Sequence, residues 1–346
     1  MGSEPKMLLV RADANAHIGT GHLMRSLALA QAWQSQGGEA IFVTACPSNG
    51  LLRRLSSEGF QVLPLESLYP DPADWVLTSK VLAAHPEMWV VLDGYHFDSS
   101  YQLRVKEAGH PLLVIDDMAH LEHYYADVVL NQNMHAGQLN FSCEPYTRLL
   151  LGTRYVLLRR EFWQWCGWQR QIPEVARKVL VTLGGADPDN HSLKVLQAMR
   201  QLDIDGLEAS VVMGASNPNL RELETTIHDF QFRIHLLRDA SNMPELMSWA
   251  DAAVSAAGST CWELAFMGLP SVLIILTENQ RGIADGLSEA RIALNLGWSE
   301  QVTDDRIAEG LSSLLRDRDR RQQMSGGGRY LVDSAGSERV VLALKR

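Results

Sequence analysis

Cysteine is scarce in this chain: Cys46, Cys143, Cys166 and Cys261 lie far apart, and no CxxC pair occurs. That spacing offers neither a zinc ribbon nor a disulfide framework, and it reads as reduced cytosolic thiols. Basic residues are also short, with 31 Lys and Arg against 41 Asp and Glu and a formal net charge of −10. Nucleic acid is thereby excluded as a partner, since its binders need basic patches to neutralise phosphates. A small anionic ligand is not excluded, because helix N-termini hold phosphates through backbone N–H groups. No apolar run approaches the ~20 residues that cross a bilayer. No charged leader with an apolar stretch and small-residue cleavage site is present either, so the expectation is a cytoplasmic protein without stable membrane insertion. A GxxxxGK[ST] phosphate loop is missing as well.

What is present is an ordinary globular composition, 46% hydrophobic and 21% charged over 346 residues. That length is about twice a typical domain and predicts two domains. Short apolar runs at 7–10, 40–43, 89–92, 112–115 and 128–130 alternate with amphipathic stretches. Runs without alternation suit strands buried on both faces, and the rhythm is that of βαβ units. It restarts at Lys178–Leu183 and continues through 209–213, 233–236, 252–255 and 271–275. The expected organisation is an N-terminal domain over 1–161, a linker over 162–173, a C-terminal domain over 174–328 and a terminal helix over 329–346 packing back across the boundary. Gly326-Gly327-Gly328 reads as a flexible point, and Trp163, Trp165 and Trp168 as a hydrophobic contact between domains rather than a membrane anchor.

Gly19-Thr20-Gly21-His22 lies at the turn from the first strand to the first helix, where an α/β enzyme brings backbone close to a ligand. It is not a dinucleotide fingerprint. The third glycine of GxGxxG falls on Met24, and the second strand ends without the acidic residue a ribose requires. Asp13, Asp93, Asp116, Asp117, Asn131 and Asn133 follow strand ends, where open sheets bind ligands; each is equally well explained as a turn or cap residue. In the second half, Gly258-Ser259-Thr260 joins a strand to a helix and suits a diphosphate at the helix N-terminus. Glu263 either takes the hydroxyls of a ribose or closes a T-x-x-E capping box with Thr260. Asn279 and Gln280, after a strand, suit sugar hydroxyl or N-acetyl groups or an ordinary turn.

Together, Arg11-Ala12-Asp13, Ile18-Gly19-Thr20-Gly21-His22-Leu23-Met24-Arg25, Gly184-Gly185-Ala186-Asp187, the segment from Ser255 to Glu263 and Glu278-Asn279-Gln280 carry a resemblance over nearly the whole chain. The chain resembles the UDP-2,4-diacetamido-2,4,6-trideoxy-β-L-altropyranose hydrolases of pseudaminic acid biosynthesis, a route to bacterial surface glycans, within the GT-B nucleotide-sugar superfamily. The resemblance implies an α/β GT-B fold, two Rossmann-like domains with mostly parallel sheets facing a central cleft. It implies UDP bound by Gly184, Gly185, Gly258, Ser259, Thr260 and Glu263, and sugar contacts from Asp13, Gly19, Gly21, Arg25, Asp93, Tyr95, Asn279 and Gln280. His22 would be the general base, a role that suits imidazole, whose ordinary pKa of about 6.5 leaves it mostly neutral and still basic near pH 7. No cofactor and no metal are implied. His17 is assigned to the loop, and His120 and His123 to a solvated turn or to a supporting role behind the site. A GT-B glycosyltransferase and a non-catalytic nucleotide-sugar binder are the alternatives, because fold alone does not separate them. Nothing in the sequence sets an oligomeric state.

Overall fold

A computed structural model describes residues 6–15, 17–214 and 217–345. The first five residues of the expected N-terminal domain and the last residue of the expected terminal helix lie outside that set. The chain divides into two compact units, one holding 6–160 with 335–345 and the other 161–334.

The first unit is built on seven strands: β1 (Met7–Ala12), β2 (Glu39–Thr44), β3 (Gln61–Pro64), β4 (Trp89–Asp93), β5 (Leu112–Ile115), β6 (Val128–Asn131) and β7 (Arg148–Leu151). Their order is β3-β2-β1-β4-β5-β6-β7, and every pairing is parallel. The direction of strand order reverses between β1 and β4, the switch point at which such sheets bind ligands. Register sets Ala12 against Asp93, Asp93 against Ile115 and Ile115 against Leu130. The residues that follow β1, β4, β5 and β6 therefore emerge side by side at one edge of the sheet.

The central strands are buried on both faces, which is why they read as unbroken apolar runs. β3 and β7, which the sequence reading did not include, are four-residue edge strands with mostly part-exposed or exposed side chains. The second unit repeats the plan with β8 (Lys178–Thr182), β9 (Glu208–Met213), β10 (Arg233–Arg238), β11 (Ala252–Ala256), β12 (Ser271–Ile275) and β13 (Ala293–Trp298). Its order is β10-β9-β8-β11-β12-β13, again parallel. β13 was missed because Asn295 and Gly297 interrupt its apolar run, and its pairing with β12 shifts register.

Three organisational expectations are corrected. Gly326-Gly327-Gly328 is no flexible point but lies inside the helix Arg318–Leu331. A Cβ at Gly328 would stand 2.8 Å from the Ala265 carbonyl oxygen, so this glycine lets two helices approach closely. The terminal helix begins at Gly336 rather than Arg329, and it packs on the first unit through Ser337, whose hydroxyl accepts from the Leu158 N–H at 3.1 Å. The segment expected as a linker is fastened within the second unit. There Arg170 stacks on Trp168 and donates to the carbonyls of Met247, Ala250 and Gly268. Trp165 and Trp168 meet edge to face at 5.4 Å. No helix among the described residues is long and apolar enough to cross a membrane.

Candidate active site

The helix Gly21–Ser35 starts directly after the glycine turn and carries His22 and Arg25 in its first turns. The turn is closed by Asn15, whose side-chain oxygen accepts from the His17 and Ile18 N–H groups while its carbonyl accepts from Gly19. Gly19 has φ +77°, a left-handed conformation that a side chain would strain. The tight loop thus delivers the helix N-terminus, and with it His22, over the ends of β1 and β4.

His22 is 7% exposed, and its Nδ1 lies 2.6 Å from Asp93 Oδ1. Arg25 Nη2 is also near that nitrogen, at 3.2 Å. The shorter, charge-assisted contact decides the proton, so Nδ1 carries the hydrogen and donates to Asp93. Nε2 is then the lone-pair nitrogen. Arg25 grips Asp93 with Nε at 2.7 Å and Nη2 at 2.6 Å, and reaches Asp117 with Nη1 at 2.5 Å. Ser26 donates to Asp93 as well. Asp117 accepts further from the Tyr95 hydroxyl at 2.8 Å and from Asn133 Nδ2 at 2.8 Å. The Tyr95 ring meets the His22 ring edge to face at 4.9 Å.

Two carboxylates face one guanidinium in this cluster, so with a neutral His22 it holds one net negative charge. Burial alone would raise the Asp93 pKa, but Arg25 and His22 outweigh it and hold the carboxyl at about 2, down from its ordinary 3.8. Arg25 loses solvation by burial, yet Asp117 and Asp93 raise its pKa and keep it charged. A proton taken up by Nε2 would neutralise the cluster, which is the electrostatic setting of a base.

Three of the residues expected to contact the sugar, Asp13, Asp93 and Arg25, are buried and hydrogen-bonded within the protein. Asp13 is fully buried, and its oxygens are taken by Arg11, the Ala45 N–H and His96 Nε2. Arg11 in turn donates to Asp74, which also receives the Tyr101 hydroxyl at 2.6 Å. Asp93 and Arg25 are likewise enclosed and face His22 rather than an open surface. Asp117 and Asn133 were noted only as strand-end residues; their membership in the cluster is legible in the Asp116-Asp117 doublet once β5 is set beside β4. His17 is exposed. His120 and His123 turn to separate partners, Asp116 for the first and Ser142 and Glu144 for the second.

In the second unit, Gly258, Ser259, Thr260 and Glu263 form a half-exposed series where β11 passes into the helix Thr260–Phe266. Ser259 is the N-cap, so Trp262, not Glu263, holds the third helical position. The capping box therefore fails by one residue. Gln280 lies beside this turn: its Nε2 would be 3.9 Å from a Cβ at Gly258, while its Oε1 accepts from the Leu276 N–H. Asn279 Oδ1 accepts from Thr277 in the next turn. Gly184 has φ +93°, and Gly185 packs against Gly214, where a Cβ would stand 2.3 Å from the Gly185 oxygen. The glycine turn after β8 is thus held against the end of β9.

Residues 179–330 match the Glycosyltransferase family 28 C-terminal domain. The whole fold is similar to MurG of Acinetobacter baumannii, with a TM-score of 0.65, 18% identity and 99% of each chain covered. The fold is GT-B. A UDP complex of MnaA from S. aureus shares this GT-B frame at a TM-score of 0.66 and 14% identity, covering 98% of this chain and 96% of that one. In sequence, the chain is 26% identical to the UDP-2,4-diacetamido-2,4,6-trideoxy-β-L-altropyranose hydrolase of Campylobacter jejuni over 82% of its length and 96% of that protein. The spore coat polysaccharide biosynthesis protein SpsG of Bacillus subtilis is 29% identical over 64% of this chain. The uncharacterized protein MJ1062 of Methanocaldococcus jannaschii is 26% identical over 80% of it. The matches span 57% of MJ1062 and 65% of SpsG. The resemblance read from the motifs of Ile18 to Arg25 and Ser255 to Glu263 is thus found along most of the chain.

Proposed function

We propose that this protein hydrolyses UDP-2,4-diacetamido-2,4,6-trideoxy-β-L-altropyranose to UDP and the free sugar, in pseudaminic acid biosynthesis. The observation that carries the reading is His22 held by Asp93 through Nδ1, inside a buried cluster with one net negative charge. Nε2 takes a proton from water as its oxygen bonds to the anomeric carbon. The bond from that carbon to the phosphate oxygen breaks, UDP departs with that oxygen, and the configuration inverts. A positioned base contributes roughly 10²- to 10⁴-fold in rate. Stabilisation of the departing diphosphate falls to the N–H groups at Gly258, Ser259 and Thr260.

The family 28 match favours a second reading, transfer of the sugar to an acceptor. Incubation with the UDP-sugar in ¹⁸O-water without acceptor separates the two. Hydrolysis at carbon puts the label in the free sugar. Release of UDP only when an acceptor is added would establish transfer, and label in UDP would mean attack at phosphorus.

With the capping box out of register, Glu263 is assigned to the ribose hydroxyls. Glu263→Ala should weaken UDP binding by about 1.5–3 kcal/mol, the scale of hydrogen bonds to a charged group. Calorimetric titration with UDP reads this directly. Unchanged affinity with a lower Tm would return Glu263 to a purely structural role.

A further inference from the structure

The network of Arg11 and Asp13 repeats the make-up of the His22 cluster. One guanidinium again faces two carboxylates, Asp13 and Asp74; Tyr101 donates to the second carboxylate at 2.6 Å, and His96 Nε2 lies 2.8 Å from the first. Register sets Ala12 against Asp93, so Arg11, one residue earlier on β1, points to the face of the sheet opposite Asp93. His22 and His96 thus flank the ends of β1 and β4 from the two faces, at the switch point where open sheets bind ligands. His96 is the member of its network that reaches the surface. Arg11, Asp13 and Asp74 are fully buried, whereas the His96 side chain is 19% exposed. Its ring is held in place: Asp13 fixes Nε2, the Phe97 ring lies 4.2 Å away, and a Cβ at Gly94 would stand 2.7 Å from Cε1, so only glycine leaves the ring its room. Phe97 is itself held under the Arg11 guanidinium at 4.9 Å.

We propose that His96 is a sugar-binding residue, its Nδ1 accepting a hydrogen bond from a hydroxyl or an acetamido N–H of the nucleotide-sugar. The carboxylate of Asp13 only accepts, so in the neutral ring Nε2 carries the hydrogen and Nδ1 the lone pair. Among the described residues Nδ1 has no hydrogen-bond partner, and unlike Nδ1 of His135 it is not enclosed. The sugar contact that the motifs imply for Asp13 is thereby relayed: Asp13 spends one oxygen on Arg11 and the Ala45 N–H and the other on His96, which extends outward in its place. A fixed lone pair selects a sugar that presents a donor at that position, because one without it leaves the acceptor desolvated and unpaired. The inference rests on the hydrolase reading, which supplies the sugar and its N–H and O–H donors. His96 binds; it takes no part in the bonds that form and break.

Two measurements test it. His96→Gln keeps an N–H for Asp13 and removes the second ring nitrogen. Its KM for the UDP-sugar should rise roughly threefold to tenfold, the scale of one hydrogen bond, while kcat, the affinity for UDP alone and Tm stay at wild-type values. An unchanged KM, or a fall in Tm with kcat and KM moving together, would overturn the sugar contact. In protein labelled with ¹⁵N in its histidine rings and carrying His22→Ala, so that the substrate persists, the His96 Nδ1 resonance is identified by its loss in the His96→Gln form. It should move when the UDP-sugar is added and stay when UDP is added; no response to the UDP-sugar, or an equal response to UDP, would likewise overturn the proposal. Absence of wild-type turnover would instead sink the hydrolase reading, and the nitrogen resonance would still decide whether His96 meets the sugar.

Discussion

His22→Ala is expected to lower turnover about 10²- to 10⁴-fold while leaving UDP affinity unchanged. The size follows from the role: every oxygen of Asp93 and Asp117 already accepts from Arg25, His22, Ser26, Tyr95 or Asn133, so both carboxylates are engaged in holding the cluster while Nε2 carries the basic lone pair. No neighbour can substitute for it. The affinity should hold because the nucleotide is assigned to the glycine turn and Glu263 of the second unit, on different elements. Steady-state kinetics beside calorimetric UDP titration checks both halves. A variant that keeps its turnover at saturating substrate and loses only affinity removes His22 from the base role.

Asp93→Asn should cost turnover on a similar scale, about 10²- to 10⁴-fold, by a different route. The carboxylate accepts from Nδ1–H and so fixes the tautomer in which Nε2 can take a proton. An amide can present its N–H₂ to Nδ1 instead, moving the hydrogen to Nε2 and blocking the base. It also removes one of the two negative charges that compensate the imidazolium. Stability should fall too, by about 3–5 kcal/mol, since Arg25 is buried and loses one partner of its pair. The pH dependence has a definite sign. Asp93 has a depressed pKa, from 3.8 to about 2, so its contribution is complete above about pH 4 and is lost as pH falls toward 2. Thermal unfolding between pH 2 and 7 should show that acid loss in the wild type and a weaker one in Asp93→Asn. An equally steep acid loss in the variant would place the stabilisation elsewhere.

Much of the frame is legible in the chain because burial on both faces of a parallel sheet leaves no polar alternation to hide the strands. The strands not read, β3, β7 and β13, lie at sheet edges, two of them only four residues long and the third interrupted by Asn295 and Gly297. The glycine triplet misled for a related reason. A run of glycines reads as flexibility, but at Gly328 the missing Cβ is used for close helix packing against Ala265. Glu263 shows the opposite case: spacing left a cap and a ribose contact open, and the helix starts one residue earlier than a capping box with Thr260 requires.

By itself the sequence determined the doubled βαβ plan and the glycine turn that starts the first helix at His22. Only the tertiary structure decided which acids matter. His22 meets a carboxylate 71 residues away and Arg25 one 92 residues away, partnerships set by strand order and register that no local pattern encodes. Asp13, close to His22 in the chain, belongs instead to a separate buried network with Arg11 and His96, because the residue after β1 turns inward while those after β4 and β5 converge on the helix N-terminus.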